Sequence, residues 1–254
     1  MPAVFFGHGS PMNAIEHNRF TESWAEFGRV VGRPRAVLAI SAHWYVGYTA
    51  VTAMDKPKTI HDFFGFPQQL FDIEYPAPGD SGLAREVANA LDPIWVGEDL
   101  DSWGIDHGTW SVLVHVFPKA DVPVVQLAID MNKSIAEHLD IGARLNVLRD
   151  EGVLVMGSGN VVHNLRAMDW SEPDSAFDWN DSFDRHVREI MTSDPRALVD
   201  VGRHPDYRKA VPTPDHFLPL AYIAGIAAKS NSKAEVLVGG PQYGSLSMTS
   251  YIVR

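Results

Sequence analysis

The chain contains no cysteine. That excludes disulfides, thiolate metal ligands and thiol nucleophiles, so any soft-metal chemistry must come from imidazole. Positive charge is scarce as well, with 21 Lys and Arg against 32 Asp and Glu and a formal net charge of −11. Such an acidic chain is not built as a general binder of nucleic acid or of anionic membranes. No apolar run approaches the length of a membrane span, and no charged-then-apolar leader precedes the first apolar segment. A cytoplasmic location is therefore expected. Local catalytic motifs are missing too. There is no His-Glu-x-x-His, Ser10 does not sit in Gly-x-Ser-x-Gly, and Gly157-Ser158-Gly159-Asn160 lacks the Lys-Ser/Thr ending of a phosphate loop.

What is present is a chain of 254 residues, 45% hydrophobic, long enough for one large α/β domain spanning residues 1–254. Continuous apolar runs of strand length begin at residues 3, 36, 122 and 153, as expected of strands covered on both faces. A further strand is expected over residues 49–54, a short one over 94–96, and closing strands over 236–239 and 247–253. Helical periodicity marks residues 21–31, 83–91, 134–149, 177–191 and 216–228, with capping boxes read at Ser23/Glu26 and Ser134/Glu137. Residues 59–79 and 103–110, rich in aromatics, Gly and Pro, read as ordered loops of the kind that wall a pocket. Strands alternating with helices predict an α/β fold with a largely parallel sheet flanked by helices. With no repeat or linker, one domain is expected.

The histidines follow a pattern. His8 lies between two glycines after the first strand, and His43 follows the second. His163 comes just after the Gly157-Ser158-Gly159 run, and His216 opens an apolar helix. Histidines delivered to strand ends are how an open α/β sheet builds a site. Each alone could equally be a hydrogen-bonded core residue. Together, without cysteine, they point to a mononuclear imidazole-rich metal site. His107, flanked by Asp106 and Gly108, is placed to orient a substrate or transfer a proton, or to cap the following helix. His61 could touch substrate from the first aromatic loop, or lie on the surface. Tyr243, in a Gly-rich turn, could line a pocket or simply serve the turn.

His8-Gly9-Ser10-Pro11, Ser41-Ala42-His43-Trp44, Ile60-His61-Asp62-Phe63 and Asp106-His107-Gly108-Thr109-Trp110 together resemble the class III extradiol ring-cleavage dioxygenases. His163-Asn164-Leu165 and Asp215-His216-Phe217-Leu218-Pro219-Leu220 extend the resemblance over essentially the whole chain. The branch most similar is the 4,5-DOPA extradiol dioxygenase family.

That resemblance implies a single α/β domain with one divalent metal ion at the C-terminal edge of the sheet. His8, His43 and His216 fall at metal-binding positions, and His163 at the position of the acid/base histidine, counted in some descriptions as a further ligand. His107 falls at a substrate-associated position. In the wider superfamily the third ligand is a carboxylate; here His216 takes its place, a neutral donor set that suits Fe(II) or Zn(II). The implied substrates are a catechol and O2, with His61, Phe66, Trp110 and Tyr243 as expected substrate contacts and Phe63, Phe64 and Trp103 as further pocket wall. A zinc-dependent hydrolase, or a metal-binding protein without catalysis, remains the alternative. Oligomeric state is left open by the sequence.

Overall fold

The computed structural model describes residues 1–254. The apolar runs that open the chain segments lie side by side in one sheet. Strands β1 (Ala3–Gly7), β2 (Ala36–Ser41), β3 (Val124–Gln126), β4 (Val153–Gly159), β5 (Glu235–Val238) and β6 (Ser250–Val253) are ordered β5-β6-β1-β4-β2-β3. β1, β4, β2 and β3 are mutually parallel, while β6 runs antiparallel to both β1 and β5.

Alternation along the strands divides the core. Phe5, Leu38, Ile40 and Val155 pack on one face against α2 (Ser81–Leu91), α4 (Ile135–Leu145), α5 (Asp178–Ser193) and α6 (Leu218–Lys229). Phe6, Val37, Ala39 and Met156 pack on the other against α1 (Arg19–Val31) and α3 (His107–Val116). Cover on both faces explains why these strands are apolar throughout. No helix is long and apolar enough to cross a membrane.

Several local expectations are corrected. The first helix begins at Arg19, because Asn18 accepts from the backbone N–H of Phe20 and Thr21 while Thr21 accepts from that of Asn18. Glu26, read as part of that cap, instead pairs with Arg29 on the surface. The Ser134/Glu137 box forms as read, but its helix stops at Leu145 and a separate turn covers Val147–Asp150. The short strand expected over 94–96 forms at Gly97–Asp99, where the backbone pairs with Ala50–Thr52 and leaves Trp95 exposed. The apolar run that begins at residue 122 splits. β3 ends at Gln126, and Ile129–Asp130 pairs separately with Tyr45–Val46.

The buried His138 on α4 links structure to acid sensitivity. Its Nδ1 hydrogen-bonds the Tyr222 hydroxyl at 2.9 Å, and burial pushes its pKa down to about 4. A depressed folded pKa means that the unfolded chain takes up this proton first. Stability from the neutral ring is complete above the ordinary value of 6.5 and is lost as pH falls towards 4. Between pH 6.5 and pH 5 wild type is expected to lose about 2 kcal/mol more than a His138→Gln variant. Denaturant titrations at the two pH values check this, and equal losses would contradict it.

Candidate active site

Three parallel strands end at the same edge of the sheet and set the site. β1 runs into His8, whose N–H reaches the Gly159 carbonyl at 3.0 Å. β2 runs into His43, the adjoining Ala42 N–H being held by the Ser158 carbonyl. The turn carrying His216 closes on the end of β4, with the Asn160 N–H bonded to the His216 carbonyl at 2.8 Å. Glycine is required at position 159, because a Cβ there would lie 2.1 Å from that carbonyl oxygen.

His107 comes from outside the sheet. The buried Asp106 caps α3 by accepting from the Thr109 N–H at 3.1 Å, so the loop read over 103–110 is helix from His107 onward. Ser41 and the Gln126 amide each donate to the Asp106 carboxylate at 2.7 Å, tying the helix start to β2 and β3. The next residue must be small, since a Cβ on Gly108 would sit 2.7 Å from the His43 ring. Parallel pairing of Lys58–Thr59 with Gly104–Ile105 then draws the aromatic loop alongside, bringing Asp62 to His107.

Four of the five rings are fixed by a partner on Nδ1. Asp62 accepts from His107 Nδ1 at 2.9 Å and from His43 Nδ1 at 3.0 Å, one oxygen to each. Asp215 accepts from His216 Nδ1. His8 Nδ1 lies 2.9 Å from Ser158 Oγ, and that hydroxyl donates to the Gly108 carbonyl. The Ser158 proton is thereby used, so the His8 proton is on Nδ1 and its Nε2 carries a free lone pair. Burial would raise the Asp62 and Asp215 pKa values, but hydrogen bonds from the histidines outweigh it and hold both carboxyls well below the usual range.

The Nε2 atoms of His8 and His43 then face each other at 3.4 Å. Two lone pairs so placed repel unless a proton or cation lies between them. The rings of His8, His43 and His216 form a nearly equilateral triangle, with centroids 5.2, 5.3 and 5.1 Å apart. Imidazoles bound at about 2.1 Å with tetrahedral angles would put donor nitrogens roughly 3.4 Å apart and ring centroids roughly 5.3 Å apart. The residues present therefore fit a metal ion. Donor atoms of His8, His43 and His107 also lie within 4.8 Å of one another. His107, however, is 3.9 Å from His43 and 6.0 Å from His8 between ring centroids, an arrangement too lopsided to radiate from the same point. It sits beside the triangle.

His163 differs from the other four. Its ring stacks on His216 with centroids 3.5 Å apart and planes 5° from parallel, and no hydrogen bond contributes to its basicity. Burial, reinforced by the neighbouring His216, pushes its pKa well below 6.5. Burial likewise lowers His8, His107 and His216. At His43 burial also acts to lower the pKa, but the Asp62 hydrogen bond and the charges of Asp106, Asp62 and Asp215 outweigh it and the net shift is upward.

These five histidines open into a cavity of about 640 Å3 whose wall includes Phe63, Phe64, Phe66, Met168 and Trp170. Phe66 lies on this wall. Trp110 is not. It is fully buried on α3, its Nε1–H donates to the Ile60 carbonyl at 2.8 Å, and it supports Phe63 from behind. His61 donates to the Ile73 carbonyl and packs against Phe63, also one layer back. Tyr243 packs tilted against Trp170 with centroids 4.9 Å apart and is not on the wall, and Trp103 stacks on Trp44 away from the cavity. Sequence reasoning missed the orienting roles of Asp62, Asp215 and Ser158. The signal was present in the acid–histidine neighbours His61-Asp62 and Asp215-His216. A larger groove of about 820 Å3, lined by Arg149 and Arg254 among others, lies near the starts of β1 and β4 and contains none of the histidines. Volume alone does not mark the site.

Residues 2–253 match the family described as the catalytic LigB subunit of aromatic ring-opening dioxygenase. The chain belongs to the extradiol ring-cleavage dioxygenases. This dioxygenase is 46% identical over 254 residues to 4,5-DOPA dioxygenase extradiol of Escherichia coli K12, an alignment covering 98% of this chain and 93% of the relative. It is 35% identical over 261 residues to the protein of the same name in Beta vulgaris, covering 97% of this chain and 94% of that one. A crystal structure of an uncharacterized Escherichia coli K12 protein superposes with a TM-score of 0.88 at 41% identity, covering 100% of both chains. The dioxygenase is therefore an aromatic ring-opening enzyme, and the five clustered histidines lie within the matched residues.

Proposed function

We propose that this dioxygenase holds one divalent metal ion through Nε2 of His8, His43 and His216 and opens a catechol, DOPA or a related one, next to its two hydroxyls. The observation that carries this reading is the triangle of the three ring centroids, with the Nε2 atoms of His8 and His43 3.4 Å apart and the three Nδ1 atoms tied back to Ser158, Asp62 or Asp215. Iron(II), when bound, supplies oxygen activation and lowers the pKa of a coordinated hydroxyl, and zinc(II) fits the same donors.

The protein's own groups do the rest. His163 is kept neutral by burial, so it can accept a proton from a catechol hydroxyl and return it as the ring opens. His107, with Nδ1 committed to Asp62, offers Nε2 to the second hydroxyl. Phe63 and Phe66 give a flat apolar wall for the ring and exclude water. His107→Ala is expected to retain metal but raise KM for catechol severalfold. Unchanged kinetics would return His107 to a purely structural role.

The test is anaerobic loading of metal-free protein with iron(II), followed by air and a panel of catechols. Rising visible absorbance from a ring-opened semialdehyde, matched by oxygen uptake, is expected. Neither signal from a verified iron-loaded sample would overturn the proposal. A zinc-loaded sample run beside it separates the two metals.

A further inference from the structure

Besides the five histidines and Asp62, Ser10 is the only polar side chain on the cavity wall. The others already have tasks. Asp62 has one oxygen on His43 and the other on His107, and the histidines serve the metal, the proton or the second hydroxyl. Ser10 follows His8 by two residues and is half-buried. Gly9 between them adopts φ +62°, and a Cβ there would collide with Met248 Sδ, so the bend that carries Ser10 is fixed. Ser10 Oγ accepts from the Met12 N–H at 3.3 Å, capping the short turn Pro11–Ala14. That bond uses a lone pair and leaves the hydroxyl hydrogen unspent. The Ser10 backbone N–H donates to no protein group either.

An unspent N–H beside an unspent hydroxyl hydrogen is a donor pair, and donors of this kind suit an anionic oxygen. The wall has no lysine or arginine, so an anion entering the cavity has no cation there to take it instead. Distance permits the contact. Two residues of chain span at most about 7 Å, comparable with a catechol measured from its diol to the carboxyl of a propionate side chain. We propose that Ser10 recognises a carboxylate on the side chain of the catechol, receiving it with its backbone N–H and its hydroxyl. The inference rests on the ring-opening reading, which puts the diol at the histidines. It narrows the substrate from catechols in general to those with an anionic side chain, and it assigns the residue that selects them. Hydrogen bonds to a charged acceptor are stronger than neutral ones, so one hydroxyl is enough to separate such a catechol from its uncharged analogue.

Binding without oxygen separates this inference from the proposed reaction. The iron(II)-loaded protein is titrated anaerobically in a calorimeter with a catechol bearing a propionate side chain and with its ethyl-substituted counterpart, which lacks the carboxylate. Ser10→Ala is expected to weaken the propionate compound about tenfold and the ethyl compound less than about twofold. Ser10→Asp keeps an acceptor for the Met12 N–H but opposes an anion, so it should weaken the propionate compound further and still bind the ethyl one. Equal weakening of both compounds in Ser10→Ala would make Ser10 a structural residue of the turn and overturn the inference. Unchanged binding of the propionate compound in Ser10→Asp would overturn it too. Admitting air to the wild-type samples tests ring opening separately, so failed turnover with the expected binding pattern would count against the reaction and not against Ser10.

Discussion

Replacing His163 with alanine is expected to reduce turnover at least about a hundredfold while leaving the metal bound. The reason lies in how this ring differs from its neighbours. His8, His43, His107 and His216 each have Nδ1 committed to a hydroxyl or carboxylate, whereas His163 is held by stacking on His216. A ring oriented by its face leaves both nitrogens available to exchange a proton. Its lowered pKa keeps it neutral at ordinary pH, the form that can accept one. General acid/base help is worth about 10²–10⁴-fold, which sets the size of the effect. Metal analysis of the variant also decides whether His163 belongs to the ligand set. Loss of the metal would make it a ligand, and near-normal turnover would remove it from the chemistry.

His43→Ala should abolish stoichiometric metal binding. This ring stands at the centre of the cluster, 5.2 Å from His8, 5.1 Å from His216 and 3.9 Å from His107. Asp62 raises its basicity as well as aiming it. The sign of the pH effect follows. A metal must displace the His43 proton, so affinity should fall as pH drops below the raised pKa, and metal uptake should release a proton. Asp62→Asn tests the orienting carboxylate without removing a ligand. Losing such a partner costs about 10–100-fold in metal affinity or activity, and here one carboxylate serves two rings. Full metal occupancy in His43→Ala, measured by elemental analysis of dialysed protein, would break the assignment.

Sequence alone carried the α/β class, because strands buried on both faces cannot hide their apolar runs and the parallel strands between helices leave few other arrangements. It also carried the absence of thiol chemistry and the placement of His8, His43 and His163 after core strands and of His216 before an apolar helix, since both follow from residue type and local order. Tertiary structure decided which faces met. His107 is brought to the cluster by the Asp106 cap and by Gly108 packed against His43, contacts that join α3 to β2 and β3. Trp110, three residues further on, turns into the core, while Trp170 from a distant loop reaches the cavity wall. Asp62 unites two rings from separate segments because a two-residue strand pairing brings its loop to α3. Such directions depend on register between segments tens of residues apart, and a side chain's neighbours in sequence do not contain that information.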